Sequence, residues 1–539
     1  MSIEIFIAML GLLVGFYAIA PETVKARMSA FINPLLFKIS IPTYIIILLG
    51  VYYLDKQVTS PLAKVGVFWV QYALYIFLFI GCWYVYSVLS RRKLTKNNIV
   101  RYYRYLKVLL SKKEYPILIE MLYGSLTGIL GFYNNKEKKN KCNAKQLVVK
   151  IGAESFSMPS HLKDSFEAEV SQKIFRDVIF NEDFINANVH YGKQFAINLI
   201  RSSRLENIRI NDYSDKFLYE LLNNRDSFLY SEIKETFITC YPDNDELSRF
   251  PFLQALFEDI KYCDDQGFYR GIGEYVLEFI DRNIDNNNEK YSRNVHYYWR
   301  STERDERYRC PIFMGLSFFR CMVNKGIRDD LNSHLWLLYL NSWVDSICSK
   351  VKYYPEEWQG SKEFPIIYYY LLYELLHVHR DWIDHIYEVN TEEALGSHYQ
   401  QFDKTINITE GRLTILKWVL EDLLYCADSI ARCKEIPIEK RVYLIEVFME
   451  INIGVKSNFS KYGKANIAIA VNVDKVIEEY LMQFKQRIER TNYADIFNKE
   501  FLEVCARALN RIDTIPLDRS AVTFWKEWLS GLTMEENKG

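Results

Sequence analysis

The longest uninterrupted apolar stretch in the chain is Val65 to Ser90, VGVFWVQYALYIFLFIGCWYVYSVLS, which carries no charge and ends directly on Arg91, Arg92 and Lys93. At ~1.5 Å per residue such a run crosses a hydrocarbon core of ~30 Å, and its backbone satisfies itself there only as a helix. Trp69, Trp83, Tyr84 and Tyr86 lie toward its ends, where amphipathic rings favour the headgroup layer. Two shorter apolar runs precede it. Ser2 to Ala20 offers Glu4 instead of a basic n-region, so it reads as an uncleaved helix despite the small-residue triplet Ala18-Ile19-Ala20. Ile39 to Leu54 contains Pro42 and reaches spanning length by drawing in Pro34 to Phe37 while Lys38 snorkels; otherwise it re-enters. The pattern therefore predicts three N-terminal transmembrane helices, at about 2–20, 36–54 and 65–90.

Past Lys96 the apolar period changes to that of amphipathic helices. Tyr102, Tyr105, Leu106, Leu109 and Leu110 recur at three- and four-residue spacing among Arg101, Arg104, Lys107, Lys112 and Lys113. Beside a membrane this reads as a juxtamembrane helix on anionic lipid, the competing reading being a nucleic-acid stripe. Asn134 to Asn143 (NNKEKKNKCN) reads as a solvated basic linker and a domain boundary. Gln146 to Ser157 is the one place where a short strand is expected. From Ser165 onward the 3.6 period dominates, with helices expected over 165–179, 187–202, 215–222, 252–262, 273–283, 310–323, 331–351, 365–388, 410–431, 438–453, 473–490, 493–510 and 520–532. The fold class is thus mainly α: three spans, then a large, irregular all-α region with at most a small β element near 146–157. Expected boundaries are 1–90, 91–145, 146–284 and 285–539.

Charge sharpens this division. Residues 1–89 hold 5 Lys/Arg and 3 Asp/Glu, residues 90–145 hold 14 and 3, and residues 146–539 hold 48 and 62. A basic collar (Arg91, Arg92, Lys93, Lys96, Arg101, Arg104, Lys107) thus lies between the spans and an acidic body. Basic residues beside the spans number nine on one side and two on the other, which places the N-terminus outside and the body in the cytoplasm of a multi-pass inner-membrane protein. Anionic lipid is the expected partner of the collar, at ~1 kcal/mol per Lys or Arg. A protein partner or self-association is expected of the body, whereas nucleic acid is not, since the acidic surface repels phosphates. The ten cysteines form no C-x-x-C pair and read as reduced, mostly buried residues.

Candidate chemistry concentrates in Glu374 to Glu388, ELLHVHRDWIDHIYE, where His377, His379, Asp381, Asp384 and His385 fall within nine residues. His377-Val-His-Arg-Asp381 is similar to the H-x-H-x-D part of the metallo-β-lactamase signature. That motif follows a strand and continues with His, whereas Trp382 follows here inside a helical pattern. As a helix, the segment puts His377, Asp381, Asp384 and Glu388 on one side, with Leu371, Leu375, Val378, Trp382, Ile383 and Ile386 roughly opposite. Two readings follow: a solvated polar face, or a metal site built from His377, Asp381, Asp384 and His385. Gly271-Ile-Gly273 lacks the third glycine and preceding strand of a dinucleotide loop. The run from Tyr368 to Tyr373 reads as core packing.

No catalytic motif emerges, and no cofactor is expected. The sequence points to an inner-membrane-anchored protein whose helical body is a non-enzymatic sensor, scaffold or effector, an architecture shared with bacterial stress and phage-defence effectors. The alternatives are an oligomeric pore-forming effector and a membrane-tethered metal-dependent hydrolase using the His377/Asp381 region.

Overall fold

The computed structural model describes residues 94, 98–149, 165–238, 249–285, 307–351, 367–395, 409–465, 494–512 and 519–536, most of 475–486, and scattered positions between 22 and 76. Among the described residues it is 87% helical, with no strand. The chain divides into two compact units, Met1–Tyr213 and Ser214–Gly539.

In the first unit, α1 (Ile99–Ser111) leads into α2 (Tyr115–Val149), then α3 (Ser165–Ile174) with a π turn at Phe175–Ile179, α4 (Glu182–Tyr191) and α5 (Lys193–Leu205). α1 ends where Lys113 takes a left-handed φ of 59°. Glu114 N–H then returns to Leu109 O and Lys113 N–H to Leu110 O, so the last carbonyls are satisfied without a glycine. α2 is the centre of this unit and packs against α1, α3, α4 and α5. Tyr102 donates to Met121 O at 2.8 Å and Ser171 to Ile129 O at 2.6 Å, fixing the register of two neighbours on it. The α2 segment Tyr115–Tyr133 is long and apolar enough to cross a membrane, and 44% of it is buried among its neighbours.

Two expectations change here. α1 buries Ile99, Tyr102, Leu106 and Leu109 in the protein, so its apolar side is not free to enter lipid, while Arg104 and Lys107 stay exposed. The stretch 134–143, expected as a linker, continues α2, and residues 146–149 of the expected β element are helical. Asn134 to Lys145 has neither Gly nor Pro and is rich in Lys, so nothing in it stops a helix begun at Tyr115. Residues 150–157 lie outside the described residues.

The predicted span at 2–20 also lies outside them. Within the other two, Ile46, Ile47, Gly50 and Tyr53, and then Val65, Phe68, Trp69, Tyr72 and Ile76, are helical and exposed. The second set recurs at three- and four-residue spacing, and each of its five described residues is apolar and exposed.

The second unit opens within α6 (Asn211–Asn223) and continues with α7 (Phe228–Ile238), α8 (Pro251–Phe257), α9 (Ile260–Gln266) and α10 (Tyr269–Asp285). Next come α11 (Pro311–Arg328), a 3-10 turn at Leu335–Leu337, α12 (Leu338–Lys350), α13 (Ile367–Leu395), α14 (Glu410–Arg432), α15 (Ile438–Ala465), α16 (Ala494–Ile512) and α17 (Arg519–Glu536). α14 packs against α11, α12, α13, α15 and α16 and buries residues on nearly every side, from Gly411 to Ala431. Both its ends are held by tertiary contacts. At the start, Asp330 Oδ1 accepts from Arg412 N–H at 3.0 Å, and the buried Arg412 Nε donates to Ile327 O at 3.1 Å. At the end, Arg441 donates to Ala431 O at 2.6 Å. α8, too short to stand alone, starts on the buried carboxylate of Glu232, which accepts from Phe252 and Leu253 N–H.

His334, in the turn after α11, is fully buried against Trp336. Its Nε2 meets Leu331 O at 2.7 Å, so that nitrogen carries the proton, while Nδ1 has no partner. Burial lowers its pKa from 6.5 to about 4. Because the folded value lies below the unfolded one, His334 imposes no penalty above pH 6.5, and stability is lost as pH falls from there toward 4. The linked loss is about 3 kcal/mol. Melting curves between pH 7 and 4 are expected to show this extra loss in the wild type and not in His334→Phe; parallel curves would refute it.

Candidate functional site

The polar group that most departs from a helical core lies where α12, α13 and α14 meet. On α13, Leu372, Leu375, Leu376, Trp382, Ile383 and Ile386 form the buried stripe, and His379 falls on that stripe at i+4 from Leu375. On α14, Ile415, Val419, Leu423 and Ile430 form the corresponding stripe, with Asp422 and Cys426 one turn apart within it. From α12, Asn341, Asp345 and Cys348 recur at helical spacing along the seam with α14. Hydrophobic packing of the three helices thus carries a histidine, an acid and a thiol inward together.

His379 and Cys426 are fully buried and Asp422 is 4% exposed. His379 Nδ1 meets Leu375 O and Nε2 meets Asp422 Oδ2, both at 2.7 Å. Cys426 Sγ points to Asn341 Oδ1 at 3.6 Å and lies 4.0 Å from Asp422 Oδ2. The ligand-type atoms of His379, Asp422 and Cys426 all lie within 4.8 Å of one another, the one such group among the described residues. Further along the seam, Asp345 accepts from Tyr425 and from Ser429 at 2.6 Å.

The hydrogen bonds fix a proton count. A backbone carbonyl only accepts, so His379 Nδ1 is a donor. Nε2 and Oδ2, left facing each other, would both be lone-pair atoms unless a positive centre lies between them. With one shared proton the pair is either imidazolium and carboxylate or imidazole and carboxylic acid, net neutral in both cases. Burial pushes the Asp422 carboxyl up and the His379 imidazole pulls it back. Asp422 Oδ1 is buried without a partner, so half of the carboxylate's accepting capacity is unused. Cys426, without exposure, is placed for packing or ligation rather than for attack on a substrate.

The four residues read from sequence as a metal set are dispersed by their neighbours. His377 Nδ1 and Asp381 Oδ1 are 3.8 Å apart, but Asp381 is ion-paired with Arg320 of α11. Asp384 lies 3.8 Å from Arg380, which also reaches Glu450 of α15 at 3.6 Å; burial raises the Asp384 carboxyl and Arg380 lowers it. His385 is buried and accepts from Arg328 at 3.3 Å. Asp381, His385 and Arg380 tie α13 to α11 and α15, while the side chains of His377, Arg380 and Asp384 stay a third to a half exposed. Of the collar, Arg101, Arg104 and Lys107 lie on α1, while Arg91, Arg92, Lys93 and Lys96 lie outside the described residues.

Asp422 and Cys426 were not singled out from sequence. The available signal was an acid at i+3 from Val419 and i−1 from Leu423, inside an apolar stripe where a solvated face has no place. No family model, curated protein or solved structure matches the chain.

Proposed function

We propose that the chain is an inner-membrane-anchored protein whose acidic helical body, on the cytoplasmic side, works by binding, as a sensor, scaffold or effector rather than as an enzyme. The observation that carries this reading is the set of described helical residues Val65, Phe68, Trp69, Tyr72 and Ile76, with exposures of 46–62%. Five large apolar side chains at three- and four-residue spacing have no reason to meet water, and lipid or another span satisfies them. Net charge supports the same division, since the region after residue 145 holds 62 acidic against 48 basic residues. Because α1 buries its apolar side in the first unit, the collar engages anionic headgroups through charge alone, by Arg104 and Lys107 and the basic residues before them.

The test is light scattering on the detergent-solubilised full-length protein, corrected for bound detergent. A mass above one chain, or a stoichiometric co-purifying protein, is the expected result. A strict monomer without a partner contradicts the scaffold reading, and dye leakage from cells on expression would transfer the assignment to a pore.

A further inference from the structure

We infer that His379, Asp422 and Cys426 form a buried zinc-class site that locks α12, α13 and α14 together. Four observations converge on it. Imidazole nitrogen, carboxylate oxygen and thiol sulfur are the donor types that zinc takes, and here they come from two helices with i, i+4 spacing on one of them. His379 already donates Nδ1–H to Leu375 O, the outer-shell bond that fixes the tautomer and directs the Nε2 lone pair at a cation. Nε2 and Asp422 Oδ2 need a positive centre between them. Asp422 Oδ1 is buried and unpartnered, as a carboxylate would be when a further charge is meant to satisfy it.

The distances suit the exchange of a proton for a cation. Zinc bonds of about 2.0–2.3 Å in a tetrahedron set ligand atoms roughly 3.3–3.7 Å apart. The 2.7 Å separation of Nε2 and Oδ2 has to open, and the 4.0 Å separation of Sγ and Oδ2 to close, each by under about 1 Å, within reach of side-chain rotation. Asn341 Oδ1, 3.6 Å from Cys426 Sγ, supplies the fourth donor. With every ligand from the protein, His379, Asp422 and Cys426 buried and Asn341 partly so, the four positions of a tetrahedral centre are filled and the site is structural.

The balance is specific. The metal-free site holds one proton between His379 and Asp422 and one on Cys426; a divalent cation displaces both. Neutral imidazole, carboxylate, thiolate and M²⁺ then sum to zero charge, as burial requires. Binding therefore releases two protons, and the affinity rises by about two decades per pH unit while both remain bound in the apo protein.

The full-length chain in detergent, produced with zinc in the medium, is expected to carry one zinc per chain by elemental analysis. A chelator should lower its melting temperature, and zinc should restore it. Cobalt in place of zinc should give the thiolate-to-metal absorption of a Cys-ligated site. Cys426→Ala should lose that absorption and about 100-fold or more in zinc affinity, since ligand loss exceeds the outer-shell effect. Protein purified without metal, and unmoved in melting by zinc or chelator, would overturn the site and leave a shared proton only. So would Cys426→Ala that keeps stoichiometric zinc. Should that variant fail to fold, the cobalt spectrum of the wild type decides: a spectrum without thiolate absorption overturns the site.

Discussion

Replacing Asp422 by alanine is expected to destabilise the helical body by about 3–5 kcal/mol, because it leaves the buried partner charge or polar atom uncompensated. Asp422 is 4% exposed and His379 fully buried, so water cannot replace the lost oxygen. Whether the centre between Nε2 and Oδ2 is a proton or a metal, the carboxylate balances it, and the alanine variant also leaves a cavity beside Leu423. The double replacement His379→Leu with Asp422→Leu is expected to recover much of the loss, since matched apolar side chains need no charge compensation. Melting of the solubilised full-length protein checks both, with a drop on the order of 10 °C for the single variant. A single variant within 1 °C of wild type would mean that the pair is hydrated and unimportant to packing.

Gly271→Ala is the second large effect. A Cβ at this position of α10 would lie 2.0 Å from Asp215 O and 2.9 Å from Tyr219 N. Both are backbone atoms of α6, so no rotamer change relieves the clash, and the two helices must separate. The expected cost is about 3 kcal/mol, the upper part of the overpacking range. Gly273 differs in kind: its Cβ would meet the Tyr339 ring at 2.4 Å, a side chain that can turn aside at smaller cost. Gly131 supplies the opposite sign. It lies within α2 with nothing within 4 Å of a Cβ, so Gly131→Ala should stabilise by about 0.5–1 kcal/mol through helix propensity alone. Equal effects at 271 and 131 would refute the close approach of α6 and α10.

The helices were largely legible because their apolar residues recur at 3.6 spacing and their stops are local. The expected helix at 410–431 became Glu410–Arg432, and that at 493–510 became Ala494–Ile512. Where one helix was expected at 187–202, Gly192 divides two, and the helix at Phe228–Ile238 was not foreseen at all. Gly271-Ile-Gly273, weighed from sequence as a fragment of a nucleotide loop, instead serves helix packing. The site was less legible for a physical reason. Within Glu374 to Glu388, polarity alone drew attention to His377 and Asp381; Asp381 is held by Arg320 of α11, and the acid beside His377 is Asp381 of the same helix. His379 counts for more because it lies on the apolar stripe, but its partner Asp422 is 43 residues away, and only tertiary packing brings the two together.

Membrane anchoring with the body inside is tested most directly by protease digestion of spheroplasts expressing the full chain, followed through a C-terminal tag. The body should survive in intact spheroplasts and be degraded only after the membrane is ruptured, with the chain in the membrane fraction throughout. Recovery of the chain in the soluble fraction, or loss of the tag from intact spheroplasts, would contradict it.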